Sequence, residues 1–189
     1  MRRLAIGQGA VVAVEALAVS LLGVMAGFFF AFAIDVVPAM AGLDATAYVT
    51  TQQAINRVVR NAGFGSVYFG ATLMPFVAAV GLCLLGRLRR AGGWMLIGAV
   101  YFIAVFWVTR SVNVPINNEL ATWNAQAPPA TWAQARDAWN HSNSVRTMAA
   151  AACFLASVLM VSFGGRREVR NASGHAAAAS MFAANPRSE

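Results

Sequence analysis

Chemistry in this 189-residue chain has to come from few side chains, since only 11% are charged and 59% are hydrophobic. The densest polar group surrounds Trp139. Trp139, Asn143 and Arg146 are spaced i, i+4 and i+7, so on a helix they share a face. An always-charged guanidinium beside an amide and an indole can hold a developing oxyanion. Arg110, Asn113 and Asn117 have the spacing of a second polar face, but Pro115 disfavours helix at Val114. The helix is therefore expected to break there. Its asparagines either cap the freed carbonyls or form the polar floor of a pocket. Asp35 closes an apolar run before Pro38, either as a plain helix terminus or as the partner of an arginine. Candidate general bases are Asp35, His141 and Asp137, although His141 points away from the Trp139–Arg146 face and reads more readily as a solvated residue than as a catalyst. Glu15, inside an apolar run, is expected to reach the membrane interface. Phosphate loops, paired His or Cys ligands and nucleophile elbows are missing, so neither cofactor nor metal cage is expected.

These residues are positioned by apolar segments. Mean hydropathy is +0.59, and a soluble domain carries roughly 25% charge. An ordinary soluble enzyme, a disordered chain and a disulfide scaffold are excluded. Four runs reach the ~20 residues a membrane helix needs, near 11–34, 63–85, 93–112 and 145–163. The fold class is an all-α integral membrane bundle of four transmembrane helices over residues 1–165. Residues 166–189 read as a disordered cytoplasmic tail. The first run is too long for a cleaved signal peptide. Ala16, Ser20, Gly23 and Gly27 lie on one stripe, expected to meet a neighbouring helix closely. Cys83 and Cys153 read as small buried hydrophobes.

On a soluble domain the net charge of +7 would point to nucleic acid. Here the arginines flank apolar runs, so the partner is the lipid bilayer and no nucleic acid is expected. Eight arginines border one side (2, 3, 87, 89, 90, 166, 167 and 170) and three the other (57, 60 and 136). The positive-inside rule then places both termini and the tight 86–92 loop in the cytoplasm of a cell-membrane protein. The long loops, 35–62 and 113–144, lie outside. The first holds a short amphipathic helix. Tyr48, Gln52, Ile55 and Val59 share one face, Gln53, Asn56, Arg57 and Arg60 another. It is expected to lie across the outer mouth or in the interface. Trp123, Trp132 and Trp139 read first as interface residues.

Several blocks combine into a family pattern. They are Gly27-Phe28-Phe29-Phe30-Ala31-Phe32 leading to Pro38-Ala39-Met40, and Gln53-Ala54-Ile55-Asn56-Arg57. Asn113-Val114-Pro115-Ile116-Asn117 with Leu120 follows, then Trp139 and Asn143-Ser144-Val145-Arg146-Thr147. In this order the chain resembles the anthrone-oxygenase-like family of small membrane proteins, much of it of unknown function, over about residues 10 to 163. Ser142 departs from an aromatic residue frequent in that family. The resemblance implies cofactor-free oxidation by O2 of a flat, lipid-soluble aromatic or quinol-like substrate. Arg146, His141 and Asp35 would be catalytic. Asn56, Arg57, Asn113, Asn117, Trp139 and Asn143 would bind the substrate. The alternative is a non-catalytic membrane protein that binds a lipid-soluble ligand or serves as an accessory subunit.

Overall fold

The computed structural model describes the backbone of residues 2–183 and the side chains of residues 7–164. Every regular element among them is helical. α1 spans Arg2–Ala31 and continues through a π-helical stretch, Phe32–Val36, into α2, Val37–Ala41. α3 covers Ala45–Val59 and α4 Ala62–Leu84. α5, Leu88–Tyr101, runs through two π stretches, Phe102–Trp107 and Thr109–Asn113, into α6, Val114–Leu120. α7 runs from Trp132 to Ala183. Among the described residues four helical units are long and apolar enough to cross a membrane: Gly7–Ala41, Ala62–Leu84, Leu88–Leu120 and Trp132–Gly164. The chain is an all-α membrane bundle. α7 carries the helix into the tail as far as Ala183, through Ala176 to Ala179, the strongest helix formers.

Each span packs on two neighbours. α1 lies against α4 and α7, and α5 lies against α4 and α7. Leu22, Met25, Phe29, Ala78, Leu82, Trp94, Tyr101 and Val105 fill the interior, while Val24, Leu73, Leu96, Ile103 and Leu155 face outward as lipid requires. Small residues set the helix spacing. A Cβ on Gly98 would lie 2.9 Å from the Phe76 ring, and one on Gly23 would lie 2.9 Å from the Phe154 ring. The rest of the expected small-residue stripe does not pack. Ala16 and Ser20 are exposed, and Gly27 has open space at its Cβ position. Cys153 is buried as expected, whereas Cys83 is exposed on the outer surface of α4.

The turn between α4 and α5 is shorter than the expected 86–92 loop. Gly86 at φ +73° lets its N–H reach the Cys83 carbonyl, and the Arg87 N–H reaches Leu82. This Schellman cap stops α4 so sharply that α5 begins at Leu88. Near this hairpin end Glu15 is 2% exposed, not interfacial. Its carboxylate pairs with Arg90 Nε at 2.8 Å and accepts a 2.7 Å bond from Trp94 Nε1. α1 is already helical from Arg2, more than three turns before Glu15, which places Glu15 inside the bundle.

Pro115 does not break the third span. The helix widens into the π stretch at Thr109–Asn113 and re-forms as α6 with Pro115 in its first turn. The same pattern precedes Pro38, where the Phe32–Val36 stretch leads into α2. A wider turn ahead of proline accommodates the missing N–H and the bulk of the ring without ending the helix.

Candidate functional site

The end of the bundle that carries α3 is closed by that helix. Asn61 and Asp44 punctuate the loop: the Asp44 side chain caps α3 at the Ala47 N–H (2.8 Å), and Asn61 caps α4 at the Phe64 N–H (2.9 Å). Tyr48, Val49, Gln52 and Asn56 form the buried face of α3. Tyr48 and Val49 join Met40 and Leu120 in a small second core, with Trp123 and Trp132 against it. Gln53 Nε2 donates to the carbonyls of Leu120 (2.9 Å) and Trp123 (3.0 Å), and Arg60 donates to Asn118 Oδ1 (2.9 Å). α3 is therefore a lid across the bundle end, with Gln53 and Arg60 as its fasteners. Burial pushes the Tyr48 hydroxyl up to about 12; nearby Arg136 opposes this and Asp137 adds to it.

Beneath the lid lies a cavity of about 380 Å³, inside the range of roughly 300–1,000 Å³ usual for small-molecule sites. Phe28, Phe29, Phe32, Phe64, Tyr68 and Phe69 supply an aromatic wall. Phe28 and Phe64 lie 5.1 Å apart, and Phe64 stacks on Tyr68 at 5.8 Å. The opposing wall is polar. Arg146, one turn below Asn143 on α7, is 5% exposed. Its NH2 group donates to Asn143 Oδ1 (2.9 Å) and its NH1 group to Thr109 Oγ1 (3.1 Å). The guanidinium also lies over the rings of Phe29 (5.0 Å) and Trp139 (5.4 Å).

Trp139 is turned into the bundle and is 7% exposed, so it is not an interface residue. Its Nε1 donates to Asn117 Oδ1 at 2.9 Å, and its carbonyl accepts from Asn113 Nδ2 at 3.4 Å. That carbonyl fixes the Asn113 amide. A flipped group would set two oxygens face to face. Buried polar atoms around the cavity without a hydrogen-bond partner among the described residues include Arg146 Nε, Asn113 Oδ1 and Asn56 Nδ2. Buried donors and acceptors are rarely left in that state, so these atoms are placed for a ligand or water.

Asn56, Asn113, Asn117, Trp139, Asn143 and Arg146 thus border one cavity, although α3, the third span and α7 carry them. Asp35 and His141 do not border it and are exposed. Arg57 lies in a neighbouring polar cleft with Gln53, Asn56, Arg60 and Ala121. Asp137 pairs with Arg136 at 2.8 Å and faces a third, smaller recess with Tyr48, Gln52 and Asn140. Thr109 was missed. The wall is Thr109, Asn113 and Asn117, while Arg110 points out. The i, i+4, i+8 spacing of 109, 113 and 117 was visible in the sequence but was hidden by the expected break. No Asp, Glu or His lines the cavity among the described residues, and no group of ligands suited to a metal ion is found among them.

The sequence model of the anthrone oxygenase family matches residues 62–156, half of the chain, and the chain belongs to that family. The match runs from the start of α4 well into α7 and includes Tyr68, Thr109, Asn113, Asn117, Trp139, Asn143 and Arg146. Neither a curated protein sequence nor a solved structure matches the chain.

Proposed function

We propose that this member of the anthrone oxygenase family oxidises a flat, lipid-soluble aromatic carbon acid with O2 and without a cofactor. The observation that carries the reading is Arg146: a buried guanidinium with an unpartnered Nε–H, held beside an aromatic slot. An anthrone is planar, apolar and weakly acidic at its methylene carbon. Bound against the phenylalanines, its carbonyl oxygen would face the free N–H donors of Arg146 and Asn56, and Asn113 Oδ1 would hold the water that takes the proton. Charge grows on the carbonyl oxygen as the carbon loses its proton, so donors there lower the barrier in proportion to the charge developed. Water in the cavity takes the proton. The enolate gives one electron to O2, and the two radicals join through a new C–O bond to form a peroxide anion, which takes the proton back from the water as a hydroperoxide. Loss of the second proton on that carbon breaks the O–O bond, expels water and leaves the quinone carbonyl.

The positive-inside asymmetry supports a cell-membrane orientation with both termini in the cytoplasm and the cavity at the outer end. One observation favours a second reading, non-catalytic binding of the same ligand class: no carboxylate or imidazole lines the cavity among the described residues. Oxygen uptake separates the two. Purified protein in lipid should speed consumption of O2 by an anthrone above the spontaneous rate without added metal. Asn113→Ala and Arg146→Ala should remove the increment while the variants stay folded. Folded wild-type protein giving no increment across several anthrones and quinols would leave only the binding reading.

A further inference from the structure

The cavity has a covered top and an open side. Above it, α3 and the second core narrow the axial route to a polar cleft at Asn56 and Arg60. To the side, α4 packs extensively on α5 but hardly at all on the π stretches and α6 that continue the third span. α4 and the third span therefore diverge towards the α3 end. The gap is crossed by rings: Phe106 lies 6.0 Å from Tyr68 and 6.2 Å from Phe69. Phe69 borders the cavity yet is 54% exposed. It sits seven residues into α4, about 10 Å along the helix axis, which is hydrocarbon depth for a spanning helix. One turn nearer the lid on the same face, Gly65 also borders the cavity, and a Cβ built there meets nothing within 4 Å. The gap is thus apolar, opens sideways and is kept clear by a glycine.

We propose that this gap between α4 and the third span is a lateral portal through which a planar apolar aromatic dissolved in the bilayer reaches the cavity. The proposal rests on the ligand site assigned above. Such a ligand partitions strongly into lipid, so a side opening places the site in contact with the phase where it is most concentrated. The polar cleft of Gln53, Asn56, Arg57, Arg60 and Ala121 reaches the same cavity from the lid side, at Asn56 and Arg60. Its lining suits water rather than a flat hydrocarbon.

The test mixes protein in detergent micelles with micelles carrying 9,10-anthraquinone and follows tryptophan quenching in a stopped flow. Gly65→Leu should slow association and dissociation together by at least tenfold. Leucine also raises helix propensity at this position, so folding is not at risk. Phe69→Ala should accelerate both rates. Ala121→Trp, which narrows the polar cleft, should change neither. The portal is overturned if Gly65→Leu leaves both rates unchanged, if it only speeds dissociation as a mere filler of the cavity would, or if Ala121→Trp is the variant that slows binding. Absence of saturable binding by wild-type protein is a different failure: it removes the ligand site itself, and the portal with it.

Discussion

Replacing Arg146 with methionine separates the two roles a buried charge can have. The side chain keeps similar length and loses its charge. Two hydrogen bonds from a charged donor disappear, those to Asn143 and Thr109, each worth about 1.5–3 kcal/mol. Contacts over Phe29 and Trp139 also go, each worth about 0.5–2 kcal/mol. Against this stands the penalty of holding an ion at 5% exposure with no acidic partner among the described residues, several kcal/mol that methionine does not incur. Thr109 keeps its bond to the Val105 carbonyl, so Asn143 Oδ1 is the main orphan. The opposing contributions are of similar size. Arg146→Met should therefore melt within about 5 °C of the parent in detergent. Affinity for an ionised hydroxyanthraquinone should meanwhile fall about ten- to 150-fold, the worth of one hydrogen bond from a charged donor. Melting curves with and without the probe measure both quantities. A melting point lowered by more than 10 °C with affinity intact would refute the reasoning and make Arg146 a structural residue.

At the hairpin end the arithmetic reverses, because Glu15 and Arg90 are a true ion pair. Glu15→Gln should destabilise by about 3 kcal/mol without altering anthraquinone affinity, as paired melts and titrations would reveal; equal loss of binding would mean the two ends are coupled. The lid should loosen in alkali: Tyr48 stays neutral in the folded state up to about 12, so its contribution is complete below the usual tyrosine value near 10 and fades from there to 12. Tyr48→Phe should flatten that limb of the melting profile. For orientation, Ala127→Cys in a variant lacking Cys83 and Cys153 should react with an impermeant thiol reagent on intact cells, and Arg89→Cys should not; the opposite pattern would invert the bundle.

Composition and run length are local properties, and they were enough for the four spans, the amphipathic α3 and the clustering of polar residues at one bundle end. A 20-residue apolar run has few alternatives to a helix in lipid. The inventory of amides and arginine was legible for the same reason, since hairpin topology alone brings Asn113, Asn143 and Arg146 to one end. Rotation about each helix axis was not legible. The π stretches at Phe32–Val36 and Thr109–Asn113 each widen a turn, and one extra residue turns every later side chain by about 100°. That shift selects Thr109 over Arg110 for the wall and carries the helix past Pro115. Whether Trp139 faces lipid or Asn117, whether Glu15 meets water or Arg90, and whether α3 floats in the interface or closes the bundle were likewise decided by partners distant in sequence. An apolar or polar residue near a membrane boundary is tolerated in either place, and only the neighbour brought to it by the fold settles which place is lower in energy.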